Sequence, residues 1–131
     1  MDTARVELLR DAYRHFNARD IDTLLDLMTD DVEWPDVANG RVLRDKGAIR
    51  AYWEGQFAVA SPKVEPLDFL DAGADLVVAV DQRVTDLDGE PLAPPTVVFH
   101  RYTFVDDRVR RMVVYPDRDT ALAGADQPTD G

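Results

Sequence analysis

Val6, Leu9, Tyr13 and Phe16 recur at spacings of three and four, which places one apolar stripe on a helix from about Thr3 to Ala18. Asp20 then opens a second helix carrying Ile21, Leu24, Leu25 and Met28, because its side-chain oxygen can accept the free N–H groups of the first turn. Asp30-Asp31 closes that helix, and Val32-Glu33-Trp34 reads as a short strand. Gly40 to Asp45 is expected to be a loop, followed by a third helix with Ile49, Tyr52, Trp53 and Phe57 on one wide aromatic side. From Pro62 the period changes to that of strands: Val64 to Leu70, Leu76 to Thr85, Thr96 to Val105 and Val109 to Tyr115. Asp88-Gly89 and Asp106-Asp107 supply turns, with Pro91, Pro94 and Pro95 delaying the return strand after the first. The pattern predicts an α+β fold, about three N-terminal helices packed on a curved, mostly antiparallel sheet. Residues 1–122 form a single domain in this reading, and 123–131, without periodicity and rich in Asp, Gly, Thr and Pro, a frayed tail.

Composition narrows the chemistry. A chain of 131 residues is long enough for one continuous core and one site. Its formal net charge of -11 argues against nucleic acid or an anionic membrane as partner, since both need clustered Lys and Arg. Cysteine is absent, which removes disulfides, thiolate nucleophiles and zinc-thiolate sites together. The longest apolar run, Leu76 to Val80, is far too short to span a bilayer, so a cytoplasmic protein is the expectation. Ser61 is the only serine and precedes Pro62, outside any nucleophile elbow. His15 and His100 lie far apart with no metal-ligand spacing, and the scattered glycines build no phosphate loop. Cofactor-free and metal-free acid–base chemistry on a small, mostly apolar molecule is left, or simple binding of one.

Two residues stand out as carriers of that chemistry. Asp36 ends the run Asp30-Asp31-Val32-Glu33-Trp34-Pro35-Asp36. Two positions after a tryptophan, at the mouth of an apolar pocket, its carboxylate would be a stronger base because the charged form is poorly solvated. Pro35-Asp36 followed by Asn39-Gly40 is equally ordinary turn composition, in which an aspartate is simply solvated. In the strand Thr96 to Val105, His100 alternates on the same side as Val98, Tyr102 and Phe104, with Arg101 and Thr103 opposite. Facing the helices, His100 would be a polar group in an apolar cavity, satisfied by a neighbour or serving a ligand. Asp81, Arg83 and Thr85 form a polar row that is solvated or dimer-facing, and His15, opposite the stripe of the first helix, is assigned no function.

Four segments together carry a resemblance: Phe16-Asn17-Ala18-Arg19-Asp20-Ile21-Asp22, the run ending at Asp36, Gly47-Ala48-Ile49-Arg50-Ala51-Tyr52-Trp53, and His100-Arg101-Tyr102-Thr103-Phe104. Over most of its length the chain resembles the nuclear transport factor 2-like superfamily, in its ketosteroid isomerase and SnoaL-like polyketide cyclase branch. The resemblance implies a cone-shaped α+β barrel, a bent sheet around the first helix with a pocket between them, and a homodimer formed through the outer face of the sheet. It puts Asp36 where the isomerases hold their proton-moving aspartate, and His100 at or next to their protonated acid, the donor to the developing enolate oxygen. The isomerase tyrosine would fall at Ala12, one helical step from Tyr13, and the last strand, Met112-Val113-Val114-Tyr115, lacks the terminal acid of several cyclases.

The leading expectation is therefore a cofactor-free isomerase, cyclase or dehydratase acting on a small hydrophobic carbonyl compound. Asp36 would be the base and His100 the donor, inside walls made by Tyr13, Phe16, Trp34, Trp53, Phe57 and Tyr102. The alternative is a ligand-binding or dimerisation module with the same pocket and no catalysis. Epoxide or ester hydrolysis ranks last, because it needs a water held between an acid and an Arg or Asn, and Arg83 and Arg101 are expected to face outward.

Overall fold

The computed structural model describes residues 3–124. Helix α1 (Thr3–Asn17) and the short α2 (Ile21–Asp26) lead into β1 (Met28–Asp36), a single 3-10 turn over Val37–Asn39, and β2 (Arg41–Leu43). Helix α3 (Lys46–Val59) precedes the four long strands β3 (Ser61–Ala72), β4 (Asp75–Thr85), β5 (Thr96–Val105) and β6 (Arg108–Tyr115), and α4 (Arg118–Ala123) follows them. The α+β class and the mostly antiparallel sheet are as expected, with strand order β2-β1-β6-β5-β4-β3. Among the described residues only β1 and β6 pair in parallel. The sheet is open, with β2 and β3 as its edges, so it wraps the helices as a bent trough and does not close into a barrel. Register shifts at Pro66/Asp68 and Thr103/Phe104 supply local bends.

Three elements differ from the sequence reading. Met28 continues the apolar spacing of α2 but leaves the helix after Leu27 and starts β1, opposite Val109 of β6. A short apolar stretch suits helix or strand equally, and the vacant edge of β6 decides it. Arg41–Leu43, expected as loop, pairs with Trp34–Asp36 as β2. α4 was not foreseen; Ala123 and Gly124 belong to it and its C-terminal cap, and the rest of the expected frayed tail, 125–131, lies outside the described residues.

The core lies between the helices and the concave face of the sheet. Leu9, Ile49, Trp53, Val32, Val78 and Val80 are all inaccessible or nearly so. Helix α1 packs on β3 and α3 on β1. The C-terminal end of α1 is tied down by polar groups. The Asn17 amide donates to the Val64 carbonyl (2.8 Å) and accepts from the Val64 N–H (3.0 Å), mimicking a strand partner for the edge of β3. Arg19, at φ 64°, donates to the Pro62 carbonyl (2.7 Å) and Ser61 Oγ (2.8 Å) and lies 4.4 Å over the Phe57 ring. A left-handed non-glycine residue costs about 1–2 kcal/mol, which these contacts offset. On the convex face a second small core joins Val77, Tyr115 and Ala121, where α4 covers β4 to β6. Arg101 holds it there, with Nε donating to Asp75 (2.9 Å) and the guanidinium to the Ala121 and Leu122 carbonyls (2.8 and 3.1 Å). Among the described residues no helix is long and apolar enough to cross a membrane.

Candidate functional site

A cavity of about 260 Å³ opens between α1, α3 and the concave face of the sheet. Its walls include Tyr13 and Phe16 from α1, Trp34 from β1, Trp53 from α3, and His100 and Tyr102 from β5. The alternation read in β5 is observed: Val98, His100 and Tyr102 face inward, and Arg101 faces the other side. Trp34 and Trp53 meet edge to face with ring centroids 5.4 Å apart, and Phe16 packs on Trp53 at 6.0 Å. Phe57 does not line the cavity. The turn of α3 sends its ring against Phe16, 5.3 Å away, and under Arg19, while Tyr52 and Gln56 take up wall positions that the sequence reading did not assign.

Asp36 is fully buried but lies behind the wall; its neighbours Pro35 and Val37 line the cavity and it does not. Its carboxylate caps the 3-10 turn. Oδ1 accepts from the Asn39 N–H (3.3 Å), and Oδ2 from the Asn39 side-chain amide (2.8 Å) and Arg41 Nε (2.9 Å). These hydrogen bonds, that of the Asn39 amide foremost, hold the carboxyl below the usual carboxylate range and outweigh the opposing effect of burial. The expectation of a basicity raised by an apolar surrounding is thus reversed, because burial came with three donors. The same Asp-to-third-residue bond recurs at Asp20 to Thr23, Asp45 to Ala48 and Asp117 to Thr120, so the spacing Asp36-x-x-Asn39 was the available signal.

His100 does have partners in the cavity. Tyr102 Oη donates to Tyr13 Oη (2.8 Å), and Tyr13 Oη lies 2.9 Å from His100 Nδ1. Burial lowers the His100 pKa from 6.5 to about 4, so the ring is neutral near pH 7. Burial likewise pushes both tyrosine hydroxyls up, so they stay protonated. A neutral imidazole carries one proton and two arrangements follow. With the proton on Nε2, Tyr13 donates to Nδ1 and the cavity meets an N–H. With the proton on Nδ1, that N–H donates to Tyr13, whose own hydroxyl proton is then free for a ligand, and Nε2 presents a lone pair. Nε2 has no protein partner among the described residues in either case. Sequence reading had Tyr13 and Tyr102 only as walls.

Among the described residues no Asp, Glu, Lys or Arg lines this cavity, and no cluster of His, Asp or Glu gathers to hold a metal ion. The cavity can hold a neutral, mostly apolar molecule, and the Tyr13–His100 pair can exchange hydrogen bonds with one oxygen on it.

Comparisons with known proteins agree with this architecture. Solved structures of similar fold include a nuclear transport factor 2-like protein of unknown function from Burkholderia pseudomallei (TM-score 0.75, 21% identity, covering 94% of this chain and 95% of that one). A second is TerC co-crystallised with polyporic acid (TM-score 0.75, 25% identity, 93% and 97% covered). A third, from Sinorhizobium meliloti, is described as a polyketide cyclase (TM-score 0.65, 22% identity, 84% and 92% covered). Proteins described as a ketosteroid isomerase and an epoxide hydrolase share the fold as well. No curated protein matches the sequence. The family model for the SnoaL-like domain matches residues 9–112, most of the chain, and on that evidence the protein belongs to the SnoaL-like domain family of the nuclear transport factor 2-like superfamily.

Proposed function

We propose that the protein is a cofactor-free proton-transfer enzyme of isomerase or cyclase type, acting on a small, mostly apolar carbonyl compound held in the cavity, with Tyr13 and His100 carrying the step. The observation that supports this is the hydroxyl–imidazole pair at 2.9 Å inside an otherwise uncharged cavity. Starting from the Nδ1–H arrangement, Nε2 takes a proton from the carbon next to the carbonyl, and the C–H electron pair becomes the enol double bond. The carbonyl oxygen takes the Tyr13 hydroxyl proton, and Tyr13 recovers a proton from Nδ1. The ring ends as the Nε2–H tautomer, which is the other arrangement of the same hydrogen bond. In a carbonyl compound with a β,γ double bond the enol is a dienol: Nε2–H protonates its γ carbon, the double bond moves into conjugation as the carbonyl re-forms, and the enol O–H proton returns through Tyr13 to Nδ1, which restores the starting tautomer. No imidazolium forms, which matters because burial disfavours it. Asp36 is left out of the step, since its lone pairs are engaged at the turn.

The test is hydrogen–deuterium exchange at the acidic methylene of 2-tetralone in D2O, followed by proton NMR. Wild type should accelerate exchange over buffer, and Tyr13→Phe and His100→Phe should remove most of that acceleration. That no carboxylate among the described residues lines the cavity favours a second reading, a carrier that binds such a molecule without turning it over. Quenching of tryptophan fluorescence by 2-tetralone with no accelerated exchange would select the carrier. If Asp36→Asn alone abolished exchange in a folded protein, the base would be Asp36 and the relay would be wrong.

A further inference from the structure

The concave face of β4 presents the row Val78, Val80, Gln82 and Val84, of which Gln82 is the one polar member. Its side chain lines the cavity and makes no hydrogen bond among the described residues. The amide is half-buried and its polar atoms still reach solvent, so a molecule filling the cavity would strip their water and would have to offer a hydrogen bond in its place. Its position is defined by register. Val78 stands opposite His100 and Gln82 opposite Thr96, so Gln82 lies four residues along the sheet from the His100–Tyr13 pair, about 13 Å at the backbone. Both residues face the same cavity, and the stretch between them is apolar, with Val80 opposite Val98.

We infer that Gln82 is a second polar pole of the cavity and selects ligands with two oxygen functions, a carbonyl for the Tyr13–His100 pair and a hydroxyl or carbonyl at the far end of a rigid apolar body. An amide offers both a donor and an acceptor, so either kind of oxygen is accommodated. No Lys or Arg among the described residues lines the wall, so a carboxylate or phosphate at that end would be buried without a direct counter-charge and is disfavoured. The inference rests on the reading of this cavity as the ligand site, and it holds for carrier and enzyme alike.

Two probes of one shape separate these claims: 4-acetylbiphenyl, with one oxygen, and 4-acetyl-4′-hydroxybiphenyl, with oxygens at both ends. Trp34 and Trp53 are the only tryptophans and both line the cavity, so intrinsic fluorescence reports occupancy directly. Wild type should bind the hydroxylated ketone about threefold to tenfold more tightly, the worth of one neutral hydrogen bond. Gln82→Leu should bring that ratio to one or below, and Gln82→Met, with a similar length and no donor, should do the same if the leucine variant folds poorly. His100→Phe should weaken both ketones and leave the ratio intact. Equal binding of the two probes by wild type, or a ratio unchanged in both Gln82 variants, overturns the second pole and leaves the proposed function standing. Failure of wild type to bind either probe overturns the cavity reading and this inference with it.

Discussion

Protonation of His100 should be resisted by the folded protein, and the cost can be worked from the structure. The ring is 7% exposed, and burial lowers its pKa from 6.5 to about 4. Above pH 6.5 it is neutral in folded and unfolded chains alike and makes no difference to stability. As pH falls below 6.5 the unfolded chain binds a proton that the folded chain refuses, so stability declines until pH reaches about 4 and levels off below it. A fall from 6.5 to about 4 corresponds to about 3 kcal/mol, with about 2 kcal/mol already lost near pH 5. Asp20, Asp36 and Asp117 act in a different window. Hydrogen bonds from Thr23, Asn39 and Thr120 hold their carboxyls low, so their contribution is present above about pH 4 and disappears only as pH falls further. Urea unfolding followed by tryptophan fluorescence, for wild type and His100→Gln at several pH values between about 7.5 and 5, isolates the imidazole. The glutamine keeps a partner for Tyr13 and removes the titration. The wild-type curve should fall by about 2 kcal/mol more than that of the variant. Parallel curves would mean that His100 titrates as a solvated histidine, and a relay built on its neutrality would fail with that result.

Asp36→Asn should lower the melting temperature, since the turn loses a charged acceptor for Asn39 and Arg41, while leaving 2-tetralone exchange within a few-fold of wild type; calorimetry and the NMR assay check both. Trp53→Ala should cost about 3–5 kcal/mol by denaturant unfolding, because the indole is 1% exposed between Trp34 and Phe16 and its removal leaves a large void beside an existing cavity. Arg101→Ala should destabilise by about 2 kcal/mol and raise amide exchange in 118–124 above that of the strands, since α4 loses its guanidinium contacts to the Ala121 and Leu122 carbonyls.

The four long strands, the helices α1, α2 and α3 and the inward side of β5 were legible because each rests on a period that one segment carries by itself. Asp20 could be read as a cap for the same reason, its partner Thr23 being three residues away. What sequence could not show depends on partners remote along the chain. Met28 becomes strand because Val109 offers it an edge, and β2 exists because Trp34–Asp36 has a free side. The unforeseen α4 depends on Arg101, some twenty residues before it, and on Gly124, whose φ of 60° ends the helix where an added Cβ would meet the guanidinium at 2.9 Å. Closure into a barrel did not follow from the resemblance, since β2 and β3 stand at opposite ends of the sheet and do not pair with each other.

The candidate site was legible in its residues and not in its pairings. Tyr13 and Tyr102 read as aromatic bulk, yet 87 residues separate Tyr13 from the ring it touches, and nothing near either one encodes the contact. The contact is set by how α1 docks. Tyr13 lies one turn before Asn17, whose amide is fixed to the backbone of Val64, and Arg19 pins the next residues to Ser61 and Pro62. The ties at the end of α1 therefore fix the height of the Tyr13 hydroxyl above β5, where a displacement of about 1 Å would break a 2.9 Å hydrogen bond. The Phe16-Asn17-Ala18-Arg19-Asp20 segment, a sign of fold in the sequence, thus also sets the geometry of the proposed relay. It places the tyrosine that decides which nitrogen of His100 the cavity meets.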